Sequence, residues 1–381
     1  MDFELSENIR LMRDSARRFV KNDLEPISQK VEEEEKIPET IVQKMREMGF
    51  FGLSIPEEYG GMGLGTLGEC VLNEEFGKVN ACFRSRFGTN NGIGSQGILI
   101  DGTPEQKEKY LPRIASGEWT AAFALTEPNA GSDAANIQTK AEKKGDFYIL
   151  NGLKHFITNG DIADVSTVMA VTDKTKGPRG VTAFIVEKTF PGFSVGKIDK
   201  KMGVHGNNTS ELVFEDCQVP AANIIGLQEG KGFSTAMKVL EKGRITIAAS
   251  CVGTAQYCLD VSIAHAKQRV QFGKPISVNQ AIQWMLADMA IGIYTGRQIV
   301  HHTAWCRDQK QRVTQQAAMC KVYCTEMVNR VADSALQIHG GMGYMKESPI
   351  ERIYRDMRLM RIFEGTSEVQ RMVVARELLK D

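Results

Sequence analysis

The segment Phe147-Tyr-Ile-Leu-Asn-Gly-Leu-Lys-His-Phe-Ile-Thr158 decides the class of fold, because its apolar residues tend to recur at every second position, as they do in a strand. Asn151-Gly152 at its centre is the dipeptide that favours a two-residue turn between antiparallel strands. Further strand-like runs follow at residues 165–171, 181–186 and 211–214. We therefore predict a compact antiparallel β domain over residues 120–230.

On either side of this domain the apolar residues have helical spacing. Ser6 can cap a first helix, and residues 104–111 form another short amphipathic helix. Beyond the β domain, long helical patterns cover residues 236–269, 279–309, 314–336 and 350–360. We predict an α+β multidomain fold with an N-terminal helical domain (1–119), the middle antiparallel β domain (120–230) and a C-terminal helical bundle (231–381). Ligands usually bind in the crevices at such domain junctions.

The composition restricts the classes of function. Lys and Arg total 47 and Asp and Glu total 47, so the formal net charge is zero, which argues against a protein that mainly binds nucleic acid or an anionic membrane. No run approaches the roughly 18 apolar residues of a membrane span, and the acidic N-terminus lacks signal character. We expect a cytoplasmic protein that binds neither nucleic acid nor membrane. The eight cysteines lack metal-ligand spacing, so we predict no metal site.

Two motifs near the C-terminus indicate chemistry: Gln337-Ile-His-Gly-Gly-Met-Gly343 and Arg361-Ile-Phe-Glu-Gly-Thr-Ser-Glu-Val-Gln-Arg371. The glycines of the first suit close approach of the backbone to a flat or phosphorylated ligand. In the second, Glu364 lies between an aromatic residue and a glycine, and burial there would raise its pKa toward a value useful for a base. Glu364 is therefore our candidate base, with an exposed carboxylate at the start of a helix as the alternative.

These motifs, together with three earlier segments, resemble one family along essentially the whole chain. The earlier segments are Ala122-Phe-Ala-Leu-Thr-Glu-Pro-Asn-Ala-Gly-Ser-Asp133, Lys154-His-Phe-Ile-Thr-Asn-Gly160 and Arg269-Val-Gln-Phe-Gly-Lys-Pro-Ile276. The chain resembles the acyl-CoA dehydrogenases, which are flavoproteins, and the resemblance implies FAD as cofactor. Some relatives carry the base at the position of Gly243, and a glycine there favours Glu364 as the base in this chain.

The resemblance implies two groups of FAD contacts. Those near the flavin are the backbone at Phe123 and Leu125 and the residues Thr126, Ser132, Phe156, Thr158, Thr366 and Glu368. Those that reach the adenine-side phosphates of a neighbouring subunit are Arg269, Gln271, Phe272, Gln280, Gln337, Gly340 and Gly341. Since the second group acts across a subunit boundary, the resemblance implies a homo-oligomer, usually a tetramer. Without the resemblance, Ser132 would be a capping residue in a turn and Arg269 a surface charge.

The resemblance also implies substrate contacts. Residues 240–249 resemble the helix that binds CoA, with Arg244 as a ligand and Glu241 where an aspartate is more usual; the other contacts are Ser132 and Gly365. Residues 81–91 fall where this family lines the acyl cavity.

Arg84 and Arg86 in that region are unexpected beside an alkyl chain, because a buried unpaired cation is costly. Arg84-Ser85 resembles the pair that holds the distal carboxylate in glutaryl-CoA dehydrogenases, but the glutamate those enzymes carry seven residues earlier is Gly77 here. For either arginine, a salt bridge to another domain or surface exposure is the alternative.

The implied reaction is FAD-dependent α,β-dehydrogenation of an acyl-CoA to the 2-enoyl-CoA. Glu364 takes the α-proton, the β-hydrogen leaves as hydride to the flavin, and the thioester oxygen is held by the backbone N–H of Glu364 and a flavin hydroxyl. Electrons then pass to electron-transferring flavoprotein.

We expect a short, branched, cyclic or polar-tipped acyl group rather than a long alkyl chain. The alternatives are a glutaryl-CoA-type dehydrogenase, an enoyl-CoA reductase that runs the same chemistry in reverse, and a non-enzymatic or DNA-associated relative. Zero net charge and the presence of Glu364 argue against the last of these.

Overall fold

The computed structural model describes residues 4–380, and its first region is helical. Ser6 accepts a hydrogen bond from the backbone of Ile9, and Thr103 forms a capping box with Gln106; both caps satisfy N–H groups that a helix start leaves unpaired. The helices are α1 (Glu7–Phe19), α2 (Ser28–Glu34), α3 (Glu39–Glu47), α4 (Gly65–Phe76), α5 (Ala81–Asn91), α6 (Gln96–Asp101) and α7 (Pro104–Ala115).

The second region is a seven-stranded sheet with the spatial order β1-β4-β2-β3-β7-β6, in which β5 pairs with β4. The strands are β1 (Ala121–Ala124), β2 (Lys140–Lys144), β3 (Phe147–Thr158), β4 (Val165–Val171), β5 (Val181–Glu187), β6 (Phe193–Ile198) and β7 (Thr209–Pro220). Most ladders are antiparallel, as the sequence predicts, but β4 runs parallel to β1 and to β2. Neither parallel partner of β4 precedes it directly in the chain, because β3 lies between β2 and β4 and both β2 and β3 lie between β1 and β4. No hairpin therefore fixes the direction of these two pairs.

The prediction of a turn at Asn151-Gly152 is wrong. Both residues lie inside the continuous strand β3, where the ladder to β7 shifts register between Leu150 and Gly152. Across this shift β7 uses one residue more than β3, and the Asn151 side chain bonds to Asp216, which has a φ of 50°. The bulge therefore lies on β7, opposite this dipeptide. The turn that joins β2 to β3 is instead Gly145-Asp146, with Gly145 at a φ of 62°.

The third region is again helical. Its elements are α8 (Gly232–Gln268), the small hairpin β8 (Val270–Gln271) and β9 (Lys274–Pro275), α9 (Gln280–Asp308), α10 (Thr314–His339), α11 (Pro349–Leu359) and α12 (Ser367–Leu378). The long apolar α8 is a core helix, since 61% of its most apolar window is buried inside the protein. The four predicted helical stretches are confirmed, with ends that differ by a few residues.

The first and third regions pack directly on each other through α4 and α8. A Cβ on Gly253 would lie 1.9 Å from the carbonyl oxygen of Glu74, and Thr254 donates a 2.6 Å hydrogen bond to the carbonyl of Gly77. Asp308 at the end of α9 accepts hydrogen bonds from backbone N–H groups at the start of α4. The predicted order of helices, sheet and helices is therefore confirmed, and the crevice between α5, α8 and the segment before α12 is rigidly framed.

Candidate active site

Glu364 lies in the short segment that joins α11 to α12. Its φ of 52° is left-handed, and Gly365 follows at 93°. A left-handed φ is strained for a glutamate, and such strain is found mainly where function needs a particular direction of the chain. Thr366 caps α12 by accepting a hydrogen bond from the backbone of Val369. The N–H of Glu364 donates to no acceptor within residues 4–380, so it is free to bind a ligand.

The carboxylate of Glu364 points into the crevice over α8. Its Oε2 atom is buried and has no hydrogen-bond partner in residues 4–380, and a Cβ on Gly243 would lie 2.1 Å from that atom. Burial raises the pKa of Glu364, while the positive charges of Arg84, Lys321 and Arg244 oppose the rise. The alternative of an exposed carboxylate at a helix start is therefore wrong. A group with these properties can act as a base.

Two buried side chains without a predicted role hold the segment around Glu364, and one of them, Gln370, lies inside the second C-terminal motif. Lys321 on α10 donates a 2.6 Å hydrogen bond to the carbonyl of Gly365. Gln370 on α12 donates to the carbonyls of Glu364 and Gly365, at 3.2 Å each. The sequence does carry a signal for Lys321, because this residue continues the core register of the apolar positions 317, 324 and 328.

Arg84 and Ser85 line a small, partly open cavity of about 30 Å³ between α4, α5, α8 and the end of α11 with Phe363. The Arg84 guanidinium donates to Asn73 at 3.2 Å and to Thr246 at 3.2 Å. No carboxylate within residues 4–380 forms an ion pair with it. The alternatives of a salt bridge or full exposure for Arg84 are therefore wrong, and its charge faces the Glu364 carboxylate.

Arg86 does not reach this cavity, although its position in the sequence groups it with Arg84. Its guanidinium bonds to Thr120 at 3.2 Å and lies 5.2 Å from the centre of the Phe51 ring. Residues two apart on a helix point about 200° apart, so both arginines cannot face one crevice. A role for Arg86 in the acyl pocket is therefore wrong; it packs the N-terminal region.

The two predicted CoA residues on α8 differ in their surroundings. Arg244 is buried near Glu364, and its Nε has no partner in residues 4–380, which leaves a donor for a ligand. Glu241 instead accepts hydrogen bonds from Arg307 at 3.0 Å and from Thr314 at 2.6 Å. The geometry supports Arg244 as a ligand residue and gives Glu241 a structural ion pair.

Four of the first group of predicted FAD residues lie on β1 and the segment after it: Phe123 on the strand, and Leu125, Thr126 and Ser132 beyond it. Lys154 beneath this segment donates to the carbonyl of Leu125 at 3.0 Å and to Glu127 at 2.7 Å, and Glu127 accepts the N–H groups of residues 138 and 139. This buried pair fixes the ends of the loop. The N–H groups of residues 131–135 between those ends donate to no acceptor in the described part of the chain.

Phe156 offers a flat apolar surface close to that loop. It has a φ of 59°, is 60% exposed, and stacks on His155 at 3.9 Å between ring centres. An exposed ring held in a left-handed conformation, beside a loop of free N–H donors, fits a flavin ring and a pyrophosphate. Thr158 ends the same strand, so the sequence-predicted flavin residues of β1 and β3 are close together. Thr366 and the exposed Glu368 belong to the segment after Glu364.

The second group of predicted FAD residues gathers at the far end of the bundle. His265 near the end of α8 stacks on His339 at the end of α10, with 4.4 Å between ring centres. This contact brings together the helix ends that lead into the β8–β9 hairpin and into the turn at Gly340 and Gly341. Phe272 at the tip of that hairpin is fully exposed. Arg269, Gln271, Gln280 and Gln337 are exposed as well. This cluster is thus assembled in the protomer and open to solvent, away from Glu364.

Comparison with known proteins gives consistent matches over the full chain. Models of the acyl-CoA dehydrogenase N-terminal, middle and C-terminal domains match residues 6–118, 122–217 and 230–379. An acryloyl-CoA reductase (NADH) of Anaerotignum propionicum is 45% identical over 382 residues, covering 100% of this chain and 96% of that protein. Two solved structures each align over 100% of both chains with a TM-score of 0.97. They are butyryl-CoA dehydrogenase from Megasphaera elsdenii, at 40% identity, and a chain in the structure of the electron transferring flavoprotein of Acidaminococcus fermentans, at 44%.

Proposed function

The chain belongs to the acyl-CoA dehydrogenase family of FAD-dependent oxidoreductases that act on CH–CH bonds, and we propose that it dehydrogenates a short acyl-CoA with Glu364 as the base. The observation that carries this proposal is the buried Glu364 carboxylate, whose Oε2 is unpartnered above Gly243 and faces three cationic side chains. A carboxylate in that setting is able to hold a proton taken from carbon.

Each proposed step uses groups of this chain. Glu364 removes the α-proton and holds it at the buried carboxylate, where burial favours the neutral form. The free N–H of Glu364 donates to the thioester oxygen, on which negative charge develops as the proton leaves. Arg244 binds the CoA portion through its free Nε–H. Thr126, Ser132 and Phe156 would hold the flavin, and bound FAD supplies the acceptor for the β-hydrogen.

The size of the cavity near Glu364 supports a short acyl group. The partly open space of about 30 Å³ beside Arg84 and Phe363 is that of one water-sized group, so a long alkyl chain does not fit without rearrangement. The Arg84 guanidinium in the wall of this space has no carboxylate partner in residues 4–380, so it favours an acyl chain whose tip carries oxygen. Gly77 at the position of the glutamate in glutaryl-CoA dehydrogenases weakens the case for glutaryl-CoA, which stays an alternative substrate.

A substrate panel tests the choice of acyl group. The purified yellow protein is mixed anaerobically with butyryl-, glutaryl-, cyclohexanecarboxyl-, octanoyl- and palmitoyl-CoA, and bleaching of the flavin band is followed. We expect bleaching by one or more of the first three esters. Faster bleaching by octanoyl- or palmitoyl-CoA would contradict the proposed acyl class while leaving the reaction class intact.

Substitution of Glu364 tests the base itself. Glu364→Gln keeps the shape of the side chain and removes its basicity, so the variant should remain yellow and lose substrate-dependent bleaching by about 10³-fold or more. Glu215→Gln is the control for the change of a glutamate to glutamine, because Glu215 is exposed on β7. We expect its bleaching by butyryl-CoA to match wild type. Bleaching of Glu364→Gln at the wild-type rate would exclude Glu364 as the base.

A second candidate is the reverse reaction, reduction of a 2-enoyl-CoA. The similarity to an acryloyl-CoA reductase at 45% identity favours it. Since one base and one flavin serve both directions, a redox titration with acyl-CoA or enoyl-CoA bound distinguishes them. A flavin potential that substrate binding shifts above the acyl-CoA/enoyl-CoA couple would support dehydrogenation, and one that stays below it would support reduction.

We further propose three features of the cellular context. An electron-transferring flavoprotein is the electron partner, supported by the similarity to a chain in the structure of that flavoprotein from Acidaminococcus fermentans. The fully exposed Phe272 and its cluster contact FAD of a neighbouring subunit in a homotetramer, since such apolar exposure is typical of an interface. The protein is cytoplasmic, in line with its balanced charge.

A further inference from the structure

Lys321 occupies a position on α10 where the helix otherwise presents apolar side chains. It is 1% exposed, between the buried residues Ala317 and Cys324. Its ammonium makes one hydrogen bond in the described part of the chain, to the carbonyl of Gly365, and forms no ion pair there. A buried ammonium without a counter-ion costs on the order of several kcal/mol. A charge retained at that cost calls for a functional reason.

The hydrogen bond of Lys321 acts on the backbone that aims Glu364. Gln370 holds the carbonyl of Glu364, and Gln370 and Lys321 together hold the carbonyl of Gly365. These two carbonyls belong to consecutive peptide planes, and each plane is rigid. Fixing both sets the φ and ψ of Gly365, which is left-handed at a φ of 93°. The peptide plane that follows the Glu364 Cα is thereby held in place, and this plane positions the Cα that carries the carboxylate.

We propose that Lys321 is a positioning residue for the proton transfer: it anchors the Gly365 carbonyl so that Glu364 stays aimed at the α-carbon, and its charge keeps the carboxylate ionised until the proton arrives. This inference rests on the proposed role of Glu364 as base. It assigns Lys321 no contact with substrate or flavin.

The charges around Lys321 support the second half of the proposal. The titratable groups that face it are Glu364 and Glu368 from the segment leading into α12, and Arg244 and Cys251 from α8. Burial lowers the pKa of Lys321 to about 8, so the ammonium is mostly protonated at pH 7. Its charge in turn opposes the rise that burial imposes on the pKa of Glu364. Without that charge, Glu364 would stay protonated to a higher pH.

The test separates anchoring from charge by comparing variants of the full-length FAD-loaded protein. Lys321→Met removes the anchor and the charge, Gln370→Leu removes an anchor alone, and Lys321→Arg keeps the charge. Cys324→Ala is the matched control, because it empties a buried site on the same helix that faces Gly296 of α9. Glu364→Gln is the reference for loss of the base.

The main readout is exchange of the α-hydrogens of a 3-thia acyl-CoA into D₂O, followed by mass spectrometry. Sulfur replaces the β-carbon, so no hydride can leave and the proton transfer is seen alone. The other readouts are kcat and KM with butyryl-CoA, the pH profile of kcat/KM, FAD content and the thermal midpoint.

We expect Lys321→Met to slow α-exchange and kcat about 10- to 100-fold, the loss typical of a misplaced catalytic group, with KM nearly unchanged and FAD content retained. Its acid limb of kcat/KM should move to higher pH. Gln370→Leu should slow exchange without moving that limb, Lys321→Arg should keep the limb in place, and Cys324→Ala should keep the exchange rate.

Three results would overturn the proposal. Exchange by Lys321→Met within twofold of wild type would exclude positioning, provided that Glu364→Gln abolishes exchange. Loss of exchange in proportion to loss of FAD or fold would make Lys321 a structural residue. An acid limb unchanged in Lys321→Met would exclude the role of the charge.

If Lys321→Met does not fold, Lys321→Gln is measured by the same criteria. Full exchange in Glu364→Gln would instead overturn the proposed function itself.

Discussion

Two loops of this protein are held in the same way, one beside the proposed flavin and one beside the proposed base. Under each loop a buried lysine donates a hydrogen bond to a main-chain carbonyl: Lys154 to Leu125 at 3.0 Å, and Lys321 to Gly365 at 2.6 Å. Burial lowers the pKa of each lysine to about 8. The two lysines differ in whether a carboxylate balances the charge of the ammonium group.

Lys154 forms a 2.7 Å ion pair with Glu127, whereas Lys321 has no carboxylate partner in residues 4–380. Glu127 uses its remaining hydrogen-bonding capacity on the backbone N–H groups of residues 138 and 139, so the charges that hold the ends of this loop are paired and hydrogen-bonded. The segment that carries Glu364 keeps a lysine without a carboxylate partner. This contrast supports the proposal that Lys321 serves the proton transfer, whereas the paired Lys154 serves stability.

The largest expected effect that follows from this contrast is on stability at Lys154. Lys154→Met leaves the Glu127 carboxylate buried without its counter-ion, and breaking such a pair costs about 3–5 kcal/mol in the free energy of unfolding. Lys321→Met strands no partner and should cost about 1 kcal/mol or less. Urea unfolding of the two variants, monitored by circular dichroism, measures the difference. Equal losses would show that pairing does not distinguish the two lysines.

Removing both members of the pair should recover much of that loss. In the double variant Glu127→Gln/Lys154→Met the amide oxygen still accepts a backbone N–H, and no charge stays buried. We expect it to be about 2–4 kcal/mol more stable than Lys154→Met, because replacing a whole buried ion pair is often nearly neutral. FAD content, measured by absorbance, should recover in parallel. If the double variant were no more stable than Lys154→Met, the stability lost in Lys154→Met would be due to altered packing and not to the unpaired Glu127 charge.

A substitution at Gly243 should affect the catalytic segment with little effect on stability. The added methyl of Gly243→Ala would lie 2.1 Å from Glu364 Oε2, so the carboxylate must rotate away from the position over α8. We expect kcat to fall about 10- to 100-fold through misplacement of the base, with a nearly unchanged free energy of unfolding.

Gly253→Ala on the same helix is the matched control. Its methyl would lie 1.9 Å from the backbone carbonyl of Glu74, which cannot rotate away, so this variant should lose stability first. If Gly243→Ala kept full kcat, the Glu364 carboxylate would have to work from a position other than the one in this structure.

The sequence predicts the helices well because helical periodicity is local and α8, α9 and α10 are long. It fails at Asn151-Gly152, where pairing of β3 with its neighbours overrides the turn preference of two residues. It also predicts that Arg84 and Arg86 share one site, because their closeness in sequence does not show that side chains two residues apart on a helix point in different directions. The prediction of the family is confirmed, because its motifs are spread over the whole chain and all three domain models match.

The supporting groups of the site are harder to predict. Glu127 and Lys154 are 27 residues apart in sequence, and nothing local shows that they meet. Lys321 and Gly365 are 44 residues apart, although a lysine in an apolar helical register could have marked Lys321 as buried. The proposed base Glu364, by contrast, lies within its own motif. These supporting residues are therefore identified from tertiary contacts and not from sequence motifs.

The smallest expected effect is a pH dependence that both lysines should share. The folded-state pKa of each is about 8, below the usual 10.5, so between these values the unfolded chain binds more protons than the folded one. The free energy of unfolding contributed by each lysine therefore rises with pH in this window, by at most about 1.4 kcal/mol per pH unit, and is constant below it. Unfolding in urea at pH 7.5, 8.5 and 9.5 compares wild type with Lys321→Met and with Glu127→Gln/Lys154→Met. The stability of wild type relative to each variant should increase with pH, and a flat difference for Lys321→Met would mean that its ammonium is not buried as a charge.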